Sequence, residues 1–283
     1  MNSMDIAFPN LGVYLRNVPK SFPVFGFEMK LYGVIIAAGI LAGILLASHE
    51  AKKAGLNPEI CWDFALYAVP LCVIGARIYY VVFSWDYYRE HLWQIFHIRN
   101  GGMAIYGAVI AGLLFLPVYG KYRKIHPLIL GDVFTPGLVM GQVIGRWGNF
   151  TNREAFGDYT DGLFAMRLPV EAVRARDITD KMAQHIVEGS NTIQVHPTFL
   201  YESLWNLLLL LVMLFYERKK KFRGELCLLY LGGYGLGRAF IEGIRTDQLL
   251  LGGTGIPVSQ LLSIGLVVVA AGIDIVVRYQ KAL

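Results

Sequence analysis

Residues 145–157 read GRWGNFTNREAFG, which places Arg146, Asn149, Asn152, Arg153, Glu154 and Gly157 at the end of a long apolar run. A guanidinium beside hydrocarbon is expensive unless something anionic or buried holds it. The most abundant such anion in a membrane is a lipid phosphate. Arginine meets phosphate oxygens with a planar fork of donors and does not lose its charge. Two further apolar runs carry Arg77 and Arg238. Two arginines around one phosphodiester would hold the head group and stabilise the negative charge that accumulates as it leaves. Asn149 and Asn152 are suited to orient the guanidinia or bind glycerol hydroxyls. These residue types therefore point to the handling of an anionic phospholipid, by an enzyme or by a transporter.

Such side chains need long helices to hold them at one depth. The chain has 283 residues, 55% hydrophobic and 17% charged, and its mean hydropathy is +0.47. That balance, with several apolar runs of roughly 20 residues, excludes an ordinary soluble domain and predicts an all-α polytopic membrane protein. About seven transmembrane helices are expected, near residues 31–49, 61–83, 102–120, 127–148, 199–216, 224–243 and 257–278. The whole of 1–283 reads as one integral membrane domain. Residues 149–198 are polar and form a small extracytoplasmic insertion, in which 170–189 have the pattern of a short helix. The N-terminal MNSMDIAFPN lacks a basic stretch followed by an apolar one, so no cleavable signal peptide is expected.

Short basic loops set the orientation. Lys52 and Lys53, then Lys121, Arg123 and Lys124, then residues 218–223, then Arg278 and Lys281 all follow odd-numbered spans. They share one side, the cytoplasmic one, which puts the N-terminus outside and the C-terminus inside. At about 1.5 Å of rise per residue, Arg77, Arg146 and Arg238 then fall in the outer half, as do Tyr32, Tyr106 and Glu202. Blander readings compete for each. A lone arginine near a helix end snorkels to the head groups. Arg238 and Glu242 have the i,i+4 spacing of an intrahelical ion pair. Tyr32 and Tyr106 fit an aromatic belt, and the glycines fit helix packing. Cys61, Cys72 and Cys227 sit in apolar runs with neither disulfide nor metal-ligand spacing. The histidines show no ligand spacing either. His196, before Pro197 and close to Glu202 in sequence, is a candidate for acid–base work.

The segment GRWGNFTNREAFG closely resembles the signature of bacterial prolipoprotein diacylglyceryl transferases. Residues 196–202 (HPTFLYE) resemble that family's HPxxLYE segment, and 232–242 (GGYGLGRAFIE), followed by Arg245, resemble its GYGxxR…E helix. Residues 31–33 (LYG), 75–77 (GAR) and 101–103 (GGM) match further family patterns in the same order. The resemblance implies transfer of the diacylglyceryl group of phosphatidylglycerol to the lipobox cysteine of a preprolipoprotein signal peptide, with glycerol phosphate released. It implies a bacterial cytoplasmic membrane enzyme whose site faces the outer leaflet, without a metal, a dissociable cofactor or a nucleic-acid partner. On the matching positions, Arg146, Arg238, Tyr106, His196 and Glu202 are the candidate catalytic residues. Arg146, Asn149, Asn152, Glu154, Gly157, Tyr32, Arg77, Tyr234, Glu242 and Arg245 are the candidate substrate-binding ones. One departure matters. Some members carry GGMxxHG, with the histidine proposed as base, where this chain has Tyr106. A tyrosine of ordinary pKa about 10 is a poor base at neutral pH, so the base stays open among Tyr106, His196 and Glu202.

A transporter or flippase with the same arginines would favour repeated halves with matching broken helices, and no repeat is visible. An intramembrane hydrolase would need a serine-centred motif or H-E-x-x-H, and neither occurs. A purely structural subunit leaves the outer-half arginines unexplained.

Overall fold

The computed structural model describes residues 4–98, 101–186, 190–248, 250–251 and 255–282. It forms two compact units, Met1–Gly43 with Pro136–Leu283, and Ile44–Thr135. The long helices are α1 (Leu31–Lys53), α2 (Glu59–Phe83), α4 (Ile105–Arg123), α5 (Pro127–Asn152), α7 (Thr198–Tyr216), α8 (Glu225–Glu242) and α9 (Val258–Ala282), with α3 (Trp85–Tyr88) and α6 (Asp180–Gln184) as short pieces. Six are long and apolar enough to cross a membrane. The other, α8, carries Glu225, Arg238 and Glu242 within its 18 residues. The protein is thus a mostly helical, multi-pass membrane protein. The spacing of its apolar runs places every long helix.

In the Ile44–Thr135 unit, α2 and α4 cross where both lack a side chain. A Cβ on Gly75 would stand 2.6 Å from the Gly107 carbonyl oxygen, and one on Gly107 would strike the Gly75 carbonyl in turn. Such close approach is how helices associate where the surroundings are as apolar as the side chains. At the far end, Ala51, Ile60, Tyr119 and Leu130 share one buried cluster. Lys52 and Lys53 at the end of α1 therefore emerge at the same end of this unit as Lys121 and Arg123 of α4.

In the larger unit, α8 packs between α7 and α9. Trp205 of α7 donates its Nε1–H to the Gly233 carbonyl of α8 at 2.8 Å. Where α7 ends and α8 begins, buried Glu225 accepts from Tyr216 Oη at 2.7 Å and pairs with Arg278 of α9. This clasp marks the end of α7 and α8 from which residues 218–223 leave.

The polar insertion carries the short helix expected within 170–189. It holds one turn of helix, α6, capped by Thr179, whose Oγ1 accepts from Met182 N at 3.2 Å. Residues 187–189 of the expected helix lie outside the described residues. The insertion also holds strands, so the chain is not all-α. Strands β5 (Met166–Pro169) and β6 (Thr192–Val195) pair antiparallel, and β1 (Ile6–Phe8) and β2 (Val13–Leu15) from the N-terminus extend them into a sheet of order β2-β1-β5-β6. Ile6 and Phe8, Met166 and Leu168, Ile193 and Val195 are i,i+2 pairs on one face, and all join Phe156, Met182 and Phe199 in the core. A separate hairpin, β3 (Ser21–Val24) with β4 (Phe27–Lys30), leads into α1.

Candidate active site

Glu202 is the centre around which the polar side chains of the larger unit assemble. It sits in the second turn of α7 and is only 4% exposed. Its Oε2 lies 2.5 Å from Arg146 Nη2 of α5. Its Oε1 lies 2.8 Å from Arg238 Nη1 of α8 and 3.2 Å from Arg245 Nη1, just beyond that helix. Arg238 also reaches back one turn to Glu242, Nη2 to Oε2 at 2.5 Å, so the i,i+4 pair and the convergent cluster coexist. Arg245 is bidentate to Asp247, at 2.9 and 2.8 Å. Burial opposes the Arg245 charge, but the bond to Asp247 and the charges of Asp247, Glu202 and Glu242 outweigh it and hold the guanidinium above its usual pKa. Three guanidinia face three carboxylates, and Arg146 is the most exposed of the three cations, at 21%. The cluster lies at the opposite end of α7 and α8 from the Glu225 clasp.

The third expected arginine, Arg77, makes a different set of contacts. Arg77 belongs to the other unit. Its guanidinium donates to the carbonyls of Ile95 (2.8 Å), Gly101 (3.0 Å), Gly102 (2.7 Å) and Gln94 (2.5 Å), and lies over the Tyr88 ring. Those contacts tie down the loop that leads into α4. Arg245, a candidate from the family resemblance, is the third guanidinium on Glu202. Asn149 and Asn152 each donate from Nδ2 to Glu154 Oε1 at 3.2 Å. Tyr32 lies within electrostatic reach of both Glu154 and Arg146, and its ring packs on Gly148. Tyr234 stacks on Tyr230 at 5.4 Å, while Tyr106, in the first turn of α4, lies 6.2 Å from the Tyr79 ring within its own unit.

Gly157 acts through its backbone. It donates to the His196 carbonyl at 2.9 Å and bridges to Arg245. A Cβ there would stand 2.7 Å from the Ile244 carbonyl oxygen and 2.8 Å from the His196 Cβ. Overpacking of this kind costs about 1–3 kcal/mol. Gly157→Ala is expected to lower the unfolding temperature and, by shifting Arg245, to reduce activity beyond the loss of folded protein, measured as turnover per folded molecule. Arg153, which carried no role in the sequence, has φ 55°. It donates to Thr151 O at 2.8 Å and to Met4 O and Val18 O at 2.7 Å each, binding the N-terminal strands to the end of α5.

His196 is half-buried, with Nδ1 3.2 Å from Tyr201 Oη. Burial, aided by the charge of Lys181, pushes its pKa below the ordinary 6.5. The unfolded chain therefore takes up this proton first as pH falls. The stability that depends on neutral His196 is complete above pH 6.5 and is lost progressively below it. Thermal unfolding from pH 7.5 to 5 is expected to show a steeper acid loss for the wild type than for His196→Gln. Equal slopes would mean that His196 carries no such linkage.

Residues 19–276 match the family model described as prolipoprotein diacylglyceryl transferase. The phosphatidylglycerol–prolipoprotein diacylglyceryl transferase of Limosilactobacillus reuteri (strain DSM 20016) is 44% identical over 276 residues, 96% of this chain and 95% of that one. The protein of the same name from Listeria monocytogenes serotype 4b is 43% identical over 257 residues, covering 91% and 88% of the two chains. That of Finegoldia magna is 37% identical over 262 residues, covering 92% and 95%.

Proposed function

We propose that this chain, which belongs to the prolipoprotein diacylglyceryl transferase family, holds its lipid phosphate on the guanidinia gathered around Glu202. The chain is a phosphatidylglycerol–prolipoprotein diacylglyceryl transferase and performs the first step of lipoprotein maturation. The observation that supports the site is the convergence of Arg146, Arg238 and Arg245 on one buried carboxylate at a helix end. Glu202 and Glu242 fix the guanidinia before substrate arrives, and preorganised donors are what a departing phosphate needs.

In the step we infer, the thiolate of the acceptor's lipobox cysteine attacks the glycerol carbon that bears the phosphate ester. A C–S bond forms, the C–O bond breaks, and glycerol phosphate leaves with the bonding pair on its phosphate oxygen, where the guanidinia stabilise the charge. The thiol proton, from a group of pKa about 8.5, passes to a base. Glu202 already meets three guanidinia, which leaves it little room for that task, while burial keeps His196 neutral and able to accept. Asn149, Asn152 and Glu154 support the Arg146 end of the site with Tyr32, and Tyr234 flanks the Arg238 end. The orientation read from the basic loops puts the cluster at the outer leaflet of the bacterial cytoplasmic membrane, with 149–198 outside.

The test is mass spectrometry of a lipobox peptide incubated with the purified protein and phosphatidylglycerol. A diacylglyceryl adduct on the cysteine is expected. Its absence in a preparation shown to be folded would overturn the reading.

A further inference from the structure

One helical turn from the arginine cluster, toward the middle of each helix, lies a second polar layer. Gln142 precedes Arg146 by four residues on α5, Asn206 follows Glu202 by four on α7, and Tyr234 precedes Arg238 by four on α8. Each therefore stands on the same helix face as its partner in the cluster, about 6 Å further in. A polar side chain at that depth among apolar neighbours marks function more often than packing. Asn206 is 1% exposed, and its Nδ2 has no hydrogen-bond partner among the described residues. It lines a cavity of about 10 Å³ together with Glu202, Trp205, Tyr234, Arg238 and Ile241. That space admits one atom-sized group and not a hydrocarbon chain.

In a diacyl phospholipid the ester carbonyls lie just inside the phosphate, toward the hydrocarbon, and they are hydrogen-bond acceptors without donors. Resting on the placement of the lipid phosphate at the arginine cluster, we propose that Asn206 donates its Nδ2–H to an ester carbonyl of the diacylglyceryl group, so that the enzyme reads the ester linkage as well as the phosphate. The unpaired Oε1 of Gln142, whose Nε2 donates to Tyr230 Oη at 2.8 Å, is an acceptor that an ester cannot satisfy. Asn206 alone carries the assignment.

The experiment compares diester phosphatidylglycerol with its dialkyl-ether counterpart, which keeps the reacting carbon and the phosphate but has no carbonyls. Purified protein and a lipobox peptide are used, and kcat/KM is read for each lipid. The wild type is expected to favour the diester by about tenfold, the worth of one hydrogen bond to a donor otherwise left buried and unpaired. Asn206→Leu is expected to bring the ratio close to one, as is Asn206→Ala should the leucine variant fail to fold. A role in packing alone would lower both lipids together and leave the ratio intact. The same holds for a cavity that only houses a water, so a preserved ratio in the variants overturns the proposal. Equal turnover of the two lipids by the wild type overturns it without any variant. A wild type that transfers from neither lipid overturns the phosphate site itself, and the ester reading with it.

Discussion

Arg146→Lys is expected to reduce turnover with phosphatidylglycerol by at least about a hundredfold, the usual loss when one donor to a developing oxyanion is removed. The substitution keeps the charge and most of the apolar stem. What it removes is the planar fork. Arg146 engages Glu202 through Nη2, and its greater exposure leaves the rest of the guanidinium open to a ligand. A lysine ammonium pairs with Glu202 or with phosphate as a point charge, and it cannot hold both in a fixed plane. The loss is expected mainly in kcat, because the fork matters most as charge builds on the leaving phosphate. Near-full turnover in this variant would reduce Arg146 to a cation snorkelling at the head groups.

Glu202→Gln is expected to be the most destabilising single change in the molecule. Removing one partner of a buried ion pair costs about 3–5 kcal/mol, because the remaining charge is left without compensation. Here one carboxylate faces three guanidinia, so the amide leaves like charges facing each other. The measurement is the unfolding temperature in detergent, with Glu154→Gln as comparison. Glu154 accepts hydrogen bonds from the neutral amides of Asn149 and Asn152, and its loss should be smaller. Adding Arg146→Met to Glu202→Gln should recover part of the stability, a coupling that a double-mutant cycle isolates. An unchanged unfolding temperature in Glu202→Gln would mean the guanidinia are compensated by solvent and not by this carboxylate.

The spans were readable because a run of about 20 apolar residues has few alternative fates. Even α8, the most polar, kept enough leucine and glycine to be placed within two residues of its ends. The cluster was readable in part. Arg146, Arg238 and Glu202 stand near the ends of consecutive spans, late in the fourth and sixth and early in the fifth, and alternation of direction alone puts them at one depth. Depth says nothing about lateral neighbours. Arg77 meets four backbone carbonyls of its own unit, and carbonyls carry no residue-type signal. Arg245 came from the family resemblance alone, since the R-x-D pair it forms with Asp247 beyond a helix end is a common pattern. The sheet escaped because its strands are three or four residues long and Ala7 pairs with Arg167, so no local alternation announced it. Asn206 did leave a signal, as the lone amide in the apolar run 203–216, one turn from Glu202.

That pairing of Ala7 with Arg167, together with the grip of Arg153 on Met4 and Val18, sets an order on biogenesis. Strand β1 has its neighbour β2 close by, yet its other partner, β5, lies some 160 residues away, beyond four long helices. At 5–20 residues per second of synthesis, Ile6 and Phe8 wait on the order of ten seconds for the strand that will bury them. The N-terminal β1–β2 pair must therefore stay soluble with its β5 edge open, then close the sheet as one of the last events of assembly. A truncated nascent chain ending before residue 166 should leave those residues open to protease, and one extending past residue 195 should protect them.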